Sequence, residues 1–335
     1  MKKFMSMLVV ALVSATMSYA QNNLVATLSH NGEVAVFHGS NSLQQAMAAA
    51  DHGDIITLAS GRYNATDITK AITLRGAGIE SNDTNTGSSR TQIVGNFSII
   101  IPDTEKHLTI EGIYHNACIW TCSNLNNAML QKCQFKSIEH SSYNYYTSNV
   151  VNSMTCINCK ITDHIYLPKW SSSSAKFINC VVKNPQSSNN GNNGNMEFTN
   201  CVITGSIGSV YQSYFQNCIL NVSDILSNTN MATYCAGYTS DSAGSPFKSL
   251  STQATNTALT EEQINTIFKN GTYYELTDEA KAKYVGIDDK EIGIYGGNLP
   301  FETRILSPQI TKCNVAAKTT ADGKLSVDIE VKAAE

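Results

Sequence analysis

The chain has 335 residues and a formal net charge of −4, and only 15% of its residues are charged. This composition lacks the basic surface with which proteins bind nucleic acids or anionic membranes, so neither is predicted as a partner. Hydrophobic residues make up 42% of the chain, and the length suits one large domain or two modest ones.

The first 20 residues have the pattern of a cleavable signal peptide. Lys2 and Lys3 supply the positive charge, residues 7–17 form an apolar run, and Ser18-Tyr19-Ala20 offers small residues for cleavage. The run is shorter than the about 18–20 residues that span a bilayer, and no later stretch reaches that length. We predict cleavage after Ala20, export to the periplasm, the cell surface or the medium, and no transmembrane segment.

Entry strands are predicted over residues 21–41, and a short helix follows them. Ser42 opens the segment SLQQAMAAADHGD, in which residues 43, 46, 47 and 50 are apolar and share one helical face. Short strands around residues 55–57 and 72–74 come next, separated by glycine-containing turns. Their spacing places the two strands in neighbouring turns of the chain.

Five sequence frames centred on cysteine recur along the middle of the chain. Successive anchoring cysteines lie 26, 21, 21 and 17 residues apart, and a unit of about 20 residues is typical of a solenoid. Because the units contain short apolar runs without helical periodicity, we predict an all-β parallel β-helix. The frames are LQKCQF, INCKI, FINCVV, FTNCVI and FQNCIL, anchored at Cys133, Cys159, Cys180, Cys201 and Cys218.

The repeated Asn-Cys pair is interpreted as a structural ladder. Asn tolerates the left-handed backbone of a tight corner, and the cysteine after it would point inward from the next strand. Stacking would let the asparagine amides bond to one another above reduced cysteines. Stacked disulfides, and a redox or metal use of Cys156 with Cys159, are the alternatives, and no metal site is predicted. The ladder residues are Cys133, Asn158, Cys159, Asn179, Cys180, Asn200, Cys201, Asn217 and Cys218.

Two stretches carry a resemblance to known proteins. The helix followed by DIITLASGRY, ITKAITLRGAG and the Asn-Cys frames resembles secreted right-handed parallel β-helix proteins of the pectin-lyase-like superfamily. Residues 273–301, with IGIYGG, are similar to the closing segment of exported β-helix proteins of Bacteroidetes, although EAKAKYVG stands where most of those carry an SPA-like stretch. The resemblance implies one right-handed, single-stranded β-helix over residues 42–301, with the first helix capping its first coil.

Two further elements are predicted towards the end of the chain. Thr260 and Gln263 form a capping box for a helix that would end at Gly271. Residues 302–335 are predicted to be a C-terminal β-hairpin or tail, because residues 325, 327, 329 and 331 alternate as apolar positions. The hairpin would dock on the helix, join a partner or act as an export signal, and the oligomeric state is left open.

The resemblance also implies an enzymatic alternative, because the superfamily includes pectate lyases, polygalacturonases and pectin methylesterases. Lyases of this fold use Arg or Lys beside carboxylates that hold Ca²⁺, but no arginine occurs from residue 91 to residue 303. A glycosidase needs clustered carboxylates, whereas the acidic residues of the coils are isolated in the sequence. We therefore favour a non-catalytic protein without a cofactor, with Ca²⁺ as the ion that a lyase-like site would hold.

Two segments, EHSSYNYY and TDHIYLPKW, combine acidic, basic and aromatic residues on neighbouring coils. Exposed aromatic rings stack on pyranose rings while polar groups bond the hydroxyls, so we expect a polysaccharide or other glycan ligand. A polysaccharide lyase or glycoside hydrolase with an atypical site between Glu139 and Trp170, and a structural or adhesive envelope protein, are the alternatives. No catalytic residue is assigned. The candidate ligand-binding residues are Glu139, His140, Tyr143, Tyr145, Tyr146, Asp163, His164, Tyr166, Lys169 and Trp170.

Overall fold

The computed structural model describes nine stretches of the chain in two compact units. The first unit runs to Thr303 and the second is Arg304–Glu335. The predicted signal peptide lies outside the described residues. Those are 24–80, 90–101, 107–121, 125–140, 151–167, 174–187, 195–303, 309–315 and 327–332.

Short strands are the main regular secondary structure of the described chain. The first thirteen are β1 (Val25–His30), β2 (Glu33–His38), β3 (Ile55–Leu58), β4 (Gly61–Asn64), β5 (Thr73–Arg75), β6 (Thr91–Val94), β7 (Phe97–Ile99), β8 (Thr109–Glu111), β9 (Ile113–Thr121), β10 (Leu125–Asn126), β11 (Met129–Gln131), β12 (Gln134–His140) and β13 (Val151–Asn152). The others are β14 (Met154–Ile157), β15 (Lys160–Leu167), β16 (Ser174–Ile178), β17 (Val181–Lys183), β18 (Pro185–Ser187), β19 (Asn195–Thr199), β20 (Val202–Gly205), β21 (Tyr214–Gln216), β22 (Ile219–Val222), β23 (Met231–Thr233), β24 (Ala236–Thr239), β25 (Thr257–Ala258), β26 (Gln309–Val315) and β27 (Val327–Lys332). The helices are α1 (Ser42–Ala49), α2 (Glu261–Thr266) and α3 (Asp278–Lys283), with a 3₁₀ turn at Gln253–Thr255.

The strands stack into two long walls. The first wall has eleven strands in the order β2-β1-β3-β5-β8-β11-β14-β16-β19-β21-β23, and the second has twelve, with β9, β12, β15, β17, β20 and β22 as consecutive neighbours. Strands pair in parallel along both walls, except that β1 pairs antiparallel with β2 and β3. The predicted all-β parallel β-solenoid is confirmed, with about seven turns of about 21 residues each.

Aromatic residues stack inside the first wall. Phe177 pairs in register with Phe198, and Phe198 with Phe215. Their ring centroids lie 5.0 and 4.9 Å apart, and all three side chains are fully buried. This separation is close to the spacing between neighbouring strands, so in-register pairing brings identical side chains into contact along the interior.

A sharp left-handed corner joins the first wall to the second. The residue before the inward cysteine has φ between 50° and 54° in six coils. Four coils use asparagine there, but the outer two use Lys132 and Tyr234. The backbone conformation is therefore the constant feature of the corner, and asparagine is the residue that adopts it at low cost. The asparagines are Asn158, Asn179, Asn200 and Asn217.

The cysteines after these corners form a continuous buried row. The backbone N–H of Cys159 lies 3.4 Å from Sγ of Cys180, and that of Cys218 lies 3.4 Å from Sγ of Cys235. These cysteines, one further buried cysteine and the half-buried Cys118 are free thiols. The buried ones are Cys133, Cys156, Cys159, Cys180, Cys201, Cys218 and Cys235.

Residues 259–303, called the closing segment, pack against the outside of the second wall. Their apolar side chains, among them Ile292 and Ile294, cover the outward positions that directly follow the inward cysteines. The Nδ2 of Asn179 donates to the carbonyl oxygens of Ile294 and Gly296 at 2.7 and 2.8 Å. The covered positions are Val181, Val202, Ile219 and Ala236.

The sequence pattern predicts that the corner asparagines bond to one another as a ladder. In the structure their side chains contact the closing segment instead. Asn158 donates to the carbonyl of Pro300 at 3.4 Å, and Asn217 accepts from the backbone N–H of Ile287 at 3.0 Å. A Cβ on Gly297 would overlap the Asn200 amide, which explains a glycine in IGIYGG. Main-chain groups of the closing segment therefore bond to the amides of Asn158, Asn179 and Asn217, which fix the segment against the wall.

Two helical predictions near the end of the chain have different outcomes. The capping box of Thr260 and Gln263 is confirmed in both of its hydrogen bonds. The helix ends at Thr266, however, and not at Gly271, because the chain turns back so that Phe268 bridges Leu276. The sequence EAKAKYVG contributes to α3, which no pattern predicted.

Helix α1 and the second unit complete the described structure. Leu43, Ala46 and Met47 on α1 belong to the main hydrophobic core. In the second unit, β26 and β27 pair antiparallel. None of the described helices is both long enough and apolar enough to cross a membrane.

Candidate functional site on the second wall

Glu139 lies at the centre of an outward-facing row on the second wall. On β12 it pairs with Trp120 of β9 on one side and with Tyr166 of β15 on the other. The residues one position earlier, Ile119, Ile138 and Ile165, are fully buried. Because side chains alternate between the two faces of a strand, Trp120, Glu139 and Tyr166 face outward.

The row continues by one strand in each direction. Ser98 of β7 pairs with Trp120, and Gln186 of β18 pairs with Tyr166. All five residues are half-buried. Four strand spacings of about 4.8 Å give the row a length of about 19 Å. Ser98, Trp120, Glu139, Tyr166 and Gln186 are called the outer row.

The side chains of Ser137 and His164 contact the Glu139 carboxylate. Its Oε1 lies 3.0 Å from Nε2 of His164 and accepts a hydrogen bond from the Ser137 hydroxyl at 2.9 Å. Ser137 and His164 are themselves paired across β12 and β15. The contact is partly open to solvent, since the side chains of His164 and Glu139 are 31% and 33% exposed.

Asp163 lies on the opposite side of the imidazole. Its Oδ2 is 3.6 Å from Nδ1 of His164 and 3.8 Å from Nζ of Lys136. These separations are longer than a hydrogen bond, whereas Nε2 of His164 lies within hydrogen-bond distance of Oε1 of Glu139. Trp120, Ser137, Glu139, Asp163, His164 and Tyr166 are called the Glu139 site.

A register shift explains how two consecutive residues reach the same face. Phe135 pairs with Ile161 and Ser137 with His164, so β15 has one more residue than β12 over this interval. Such a bulge turns side chains away from strict alternation, and both Asp163 and His164 are partly exposed. The side chain of Asn184 supports the bulge by donating to the Asp163 carbonyl at 3.0 Å.

Cys118 borders the Glu139 site, and its thiol is held in the protonated form. It pairs with Ser137 across β9 and β12. Burial raises the pKa of the Cys118 thiol to about 12, and the Glu139 carboxylate also raises it. Because the thiolate is the reactive form of cysteine, the protonated Cys118 thiol is unsuited to covalent catalysis near neutral pH.

The predicted site residues fall into two groups. The structure brings Glu139, Asp163 and His164 together and places Tyr166 beside Glu139 in the outer row. His140 pairs through its backbone with Thr121, and its side chain lies outside the described part of the structure. Tyr143, Tyr145, Tyr146, Lys169 and Trp170 also lie outside the described residues.

Sequence patterns did not identify Trp120, Lys136 or Ser137 as part of the site. Trp120 follows the buried Ile119, and aligning Ile119 with Ile138 and Ile165 would have placed Trp120 beside Glu139. The register shift between β9 and β12 and the unequal numbers of residues between successive coils conceal that alignment.

Comparisons with known proteins yield no relative, since no family model, no curated protein and no solved structure matches the chain. Within the described residues, no group of three or more His, Cys, Asp or Glu side chains is arranged to hold a metal ion. The Glu139 site itself combines two aromatic rings, two carboxylates, an imidazole and a hydroxyl. Such a set can stack on a sugar ring and bond its hydroxyl groups.

Proposed function

We propose that this protein binds a carbohydrate through the Glu139 site and the outer row. The observation that carries the proposal is the register that sets Glu139 between Trp120 and Tyr166 on three adjacent strands. Carbohydrate sites combine aromatic faces, which stack on the apolar side of the sugar, with a few fixed polar groups that orient it.

The polar groups of the site suit hydroxyl donors. Glu139 uses Oε1 to contact His164 and Ser137, and its second carboxylate oxygen, Oε2, can also accept a hydrogen bond. Each carboxylate oxygen can accept more than one hydrogen bond. The partners of Glu139 also hold its carboxylate in one orientation, so less side-chain freedom is lost when a ligand binds.

The cellular setting and the finer features of the fold belong to the same proposal. The leader-like residues 1–20 support export and action at the cell surface, in the periplasm or outside the cell. Parallel crossovers are right-handed in about 98% of cases, which supports a right-handed solenoid of the pectin-lyase-like kind. We assign α1 as the cap of the first coil and residues 302–335 as a C-terminal hairpin.

Calorimetric titration of the protein with a panel of soluble polysaccharides tests the proposal. Trp120→Ala should weaken binding of the recognised glycan about five- to tenfold, because stacking on one aromatic ring contributes about 1 kcal/mol. Tyr234→Asn removes an exposed aromatic from a corner outside the site and is the matched control. Absence of binding to every polysaccharide would favour a structural or adhesive role.

A glycoside hydrolase is the second candidate, because Glu139 and Asp163 lie on opposite sides of His164. Hydrolases of glycosides use two carboxylates, one as an acid and one as a base or nucleophile. Release of reducing ends from a bound polysaccharide, abolished in Glu139→Gln, would establish this activity. Binding without release of reducing ends is the result that our proposal predicts.

A further inference from the structure

The charges at the Glu139 site indicate which sugars it takes. Two carboxylates, Glu139 and Asp163, lie within 4 Å of His164, and Lys136 lies 3.8 Å from Asp163. Lys136 pairs with Asp163, and among the described residues the ion-pair partner of Glu139 is His164. The carboxylate at the centre of the outer row, Glu139, is contacted by the side chains of Ser137 and His164 and lies beside the Cys118 thiol.

A sugar acid needs the opposite arrangement of charge. Proteins bind carboxylates through arginine forks or through lysines directed at the acid, and residues 91–303 contain no arginine. Lys160, at the start of β15, is 2.9 Å from Glu80 and only 12% exposed. Lys183 is exposed at the end of β17 and is not part of the outer row.

We propose that the site selects uncharged polysaccharides and that Glu139 is the residue that excludes uronate chains. A glycan lying along the outer row would pass over the Glu139 carboxylate, because Trp120 and Tyr166 flank it on both sides. A uronate carboxylate placed there would meet a like charge in a partly desolvated site, which opposes binding. A neutral sugar offers hydroxyl donors to the same oxygen atoms. This inference rests on the proposed carbohydrate binding.

Matched polymer pairs test the inference. Each pair shares one backbone and differs in charge: methyl-esterified and free polygalacturonate, hydroxyethyl and carboxymethyl cellulose, and mannan and polymannuronate. We expect the wild-type protein to bind the uncharged member of the recognised pair about tenfold more tightly than its acidic counterpart, as one like-charge contact predicts. Added NaCl should narrow the difference, because salt screens the repulsion.

Two variants that change the charge of the site in opposite directions test whether charge sets the preference. Glu139→Gln keeps an oxygen for Ser137 and His164 but removes the charge, so the preference for the uncharged polymer should shrink. Lys136→Gln removes the nearby cation, so the preference should grow. Equal or tighter binding of the acidic polymer by the wild-type protein would overturn the charge selectivity and leave carbohydrate binding intact. Failure to bind either member of any pair would overturn both proposals.

Discussion

The Oε1 atom of Glu139 lies 3.0 Å from Nε2 of His164, on the neighbouring coil of the solenoid. A parallel β-solenoid repeats its residues in register, and an acid–imidazole contact across two coils departs from that repeat. The bulge in β15, which places both Asp163 and His164 on the outer face, is a second departure from the repeat at this position. Bulges that re-aim side chains are common next to functional sites, and this one lies beside the Glu139 site.

His164→Ala should reduce ligand affinity much more than stability. Both side chains of the Glu139–His164 contact are about one-third exposed, and exposed ion pairs contribute less than about 1 kcal/mol. We expect urea unfolding to change by no more than that amount, while the affinity for the glycan falls several-fold because Glu139 loses the group that orients it. A large loss of stability with unchanged affinity would assign the contact a structural role.

Asn179→Ala should destabilise the protein by about 2–4 kcal/mol. The substitution removes two buried hydrogen bonds to the closing segment, at Ile294 and Gly296, and puts alanine in a left-handed conformation. Chemical unfolding measures the loss. Asn31→Ala is the control, because Asn31 has a left-handed backbone in the exposed turn between β1 and β2 and its side chain bonds, within the described part of the chain, only to the exposed His30 ring. An equal effect of the two substitutions would argue against the closing-segment contacts.

Tyr234→Asn should stabilise the protein by about 0.5–1 kcal/mol. Tyr234 has φ of 54° at the corner where the inner coils use asparagine, and a bulky residue pays more than asparagine for that conformation. The side chain is 39% exposed, so little packing is lost. A higher unfolding midpoint in the variant would support the corner assignment. A lower midpoint would mean that packing of the Tyr234 ring stabilises the protein by more than the left-handed backbone of Tyr234 destabilises it.

His115 should make the protein less stable as the pH falls. The side chain is fully buried, with its ring centroid 4.7 Å from that of Phe97. Burial lowers the pKa of His115, and hydrogen bonds to the carbonyls of Cys118 and Ile93 oppose this effect. Below about pH 6.5 the unfolded chain takes up a proton at this position that the folded chain does not. The free energy of unfolding should therefore be highest above that pH and decline below it.

Urea unfolding of the wild-type protein and of His115→Gln at pH 7.5 and pH 5.5 measures this dependence. Glutamine can keep a hydrogen bond to one of the two carbonyls but does not titrate. We expect the difference between the two pH values to be smaller in the variant. An unchanged difference would show that other groups dominate the acid sensitivity.

The cysteine row should be inert in the native protein. The seven cysteines from Cys133 to Cys235 that line the interior are at most 2% exposed, and burial raises the pKa of the Cys133 and Cys180 thiols. Alkylation followed by peptide mass spectrometry should leave these residues unmodified until the chain unfolds. Rapid modification of several of them under native conditions would contradict a packed thiol interior.

Sequence patterns were sufficient for the repeating part of the fold. The frame FINCVV specifies an inward aromatic, a corner and an inward cysteine, and period-two alternation then assigns the walls. Sequence patterns did not predict α3, and they placed the end of α2 at Gly271 and not at Thr266. Both features depend on how the closing segment turns back on itself. Local capping signals, as at Thr260, remained reliable since they involve residues three positions apart.

The candidate site was only partly predictable. Glu139 and the pair Asp163-His164 stood out as acidic and basic residues within aromatic segments, but their contact depends on register across two coils. Trp120 has no acidic or basic neighbour in the sequence that marks it as a site residue. Its pairing with Glu139 depends on the register between β9 and β12, which unequal numbers of residues per coil obscure. Long-range register is fixed by packing of the whole coil, which local periodicity does not contain.

Fluorine NMR of the protein labelled with 5-fluorotryptophan tests the central claim most directly. The chain contains two tryptophans, Trp120 and Trp170, so the spectrum has two resonances, which Trp170→Phe assigns. We predict that titration with the bound polysaccharide shifts the Trp120 resonance in a saturable way, and that Glu139→Ala weakens the response. A polysaccharide that binds the protein while the Trp120 resonance stays unchanged would contradict a carbohydrate site centred on Glu139.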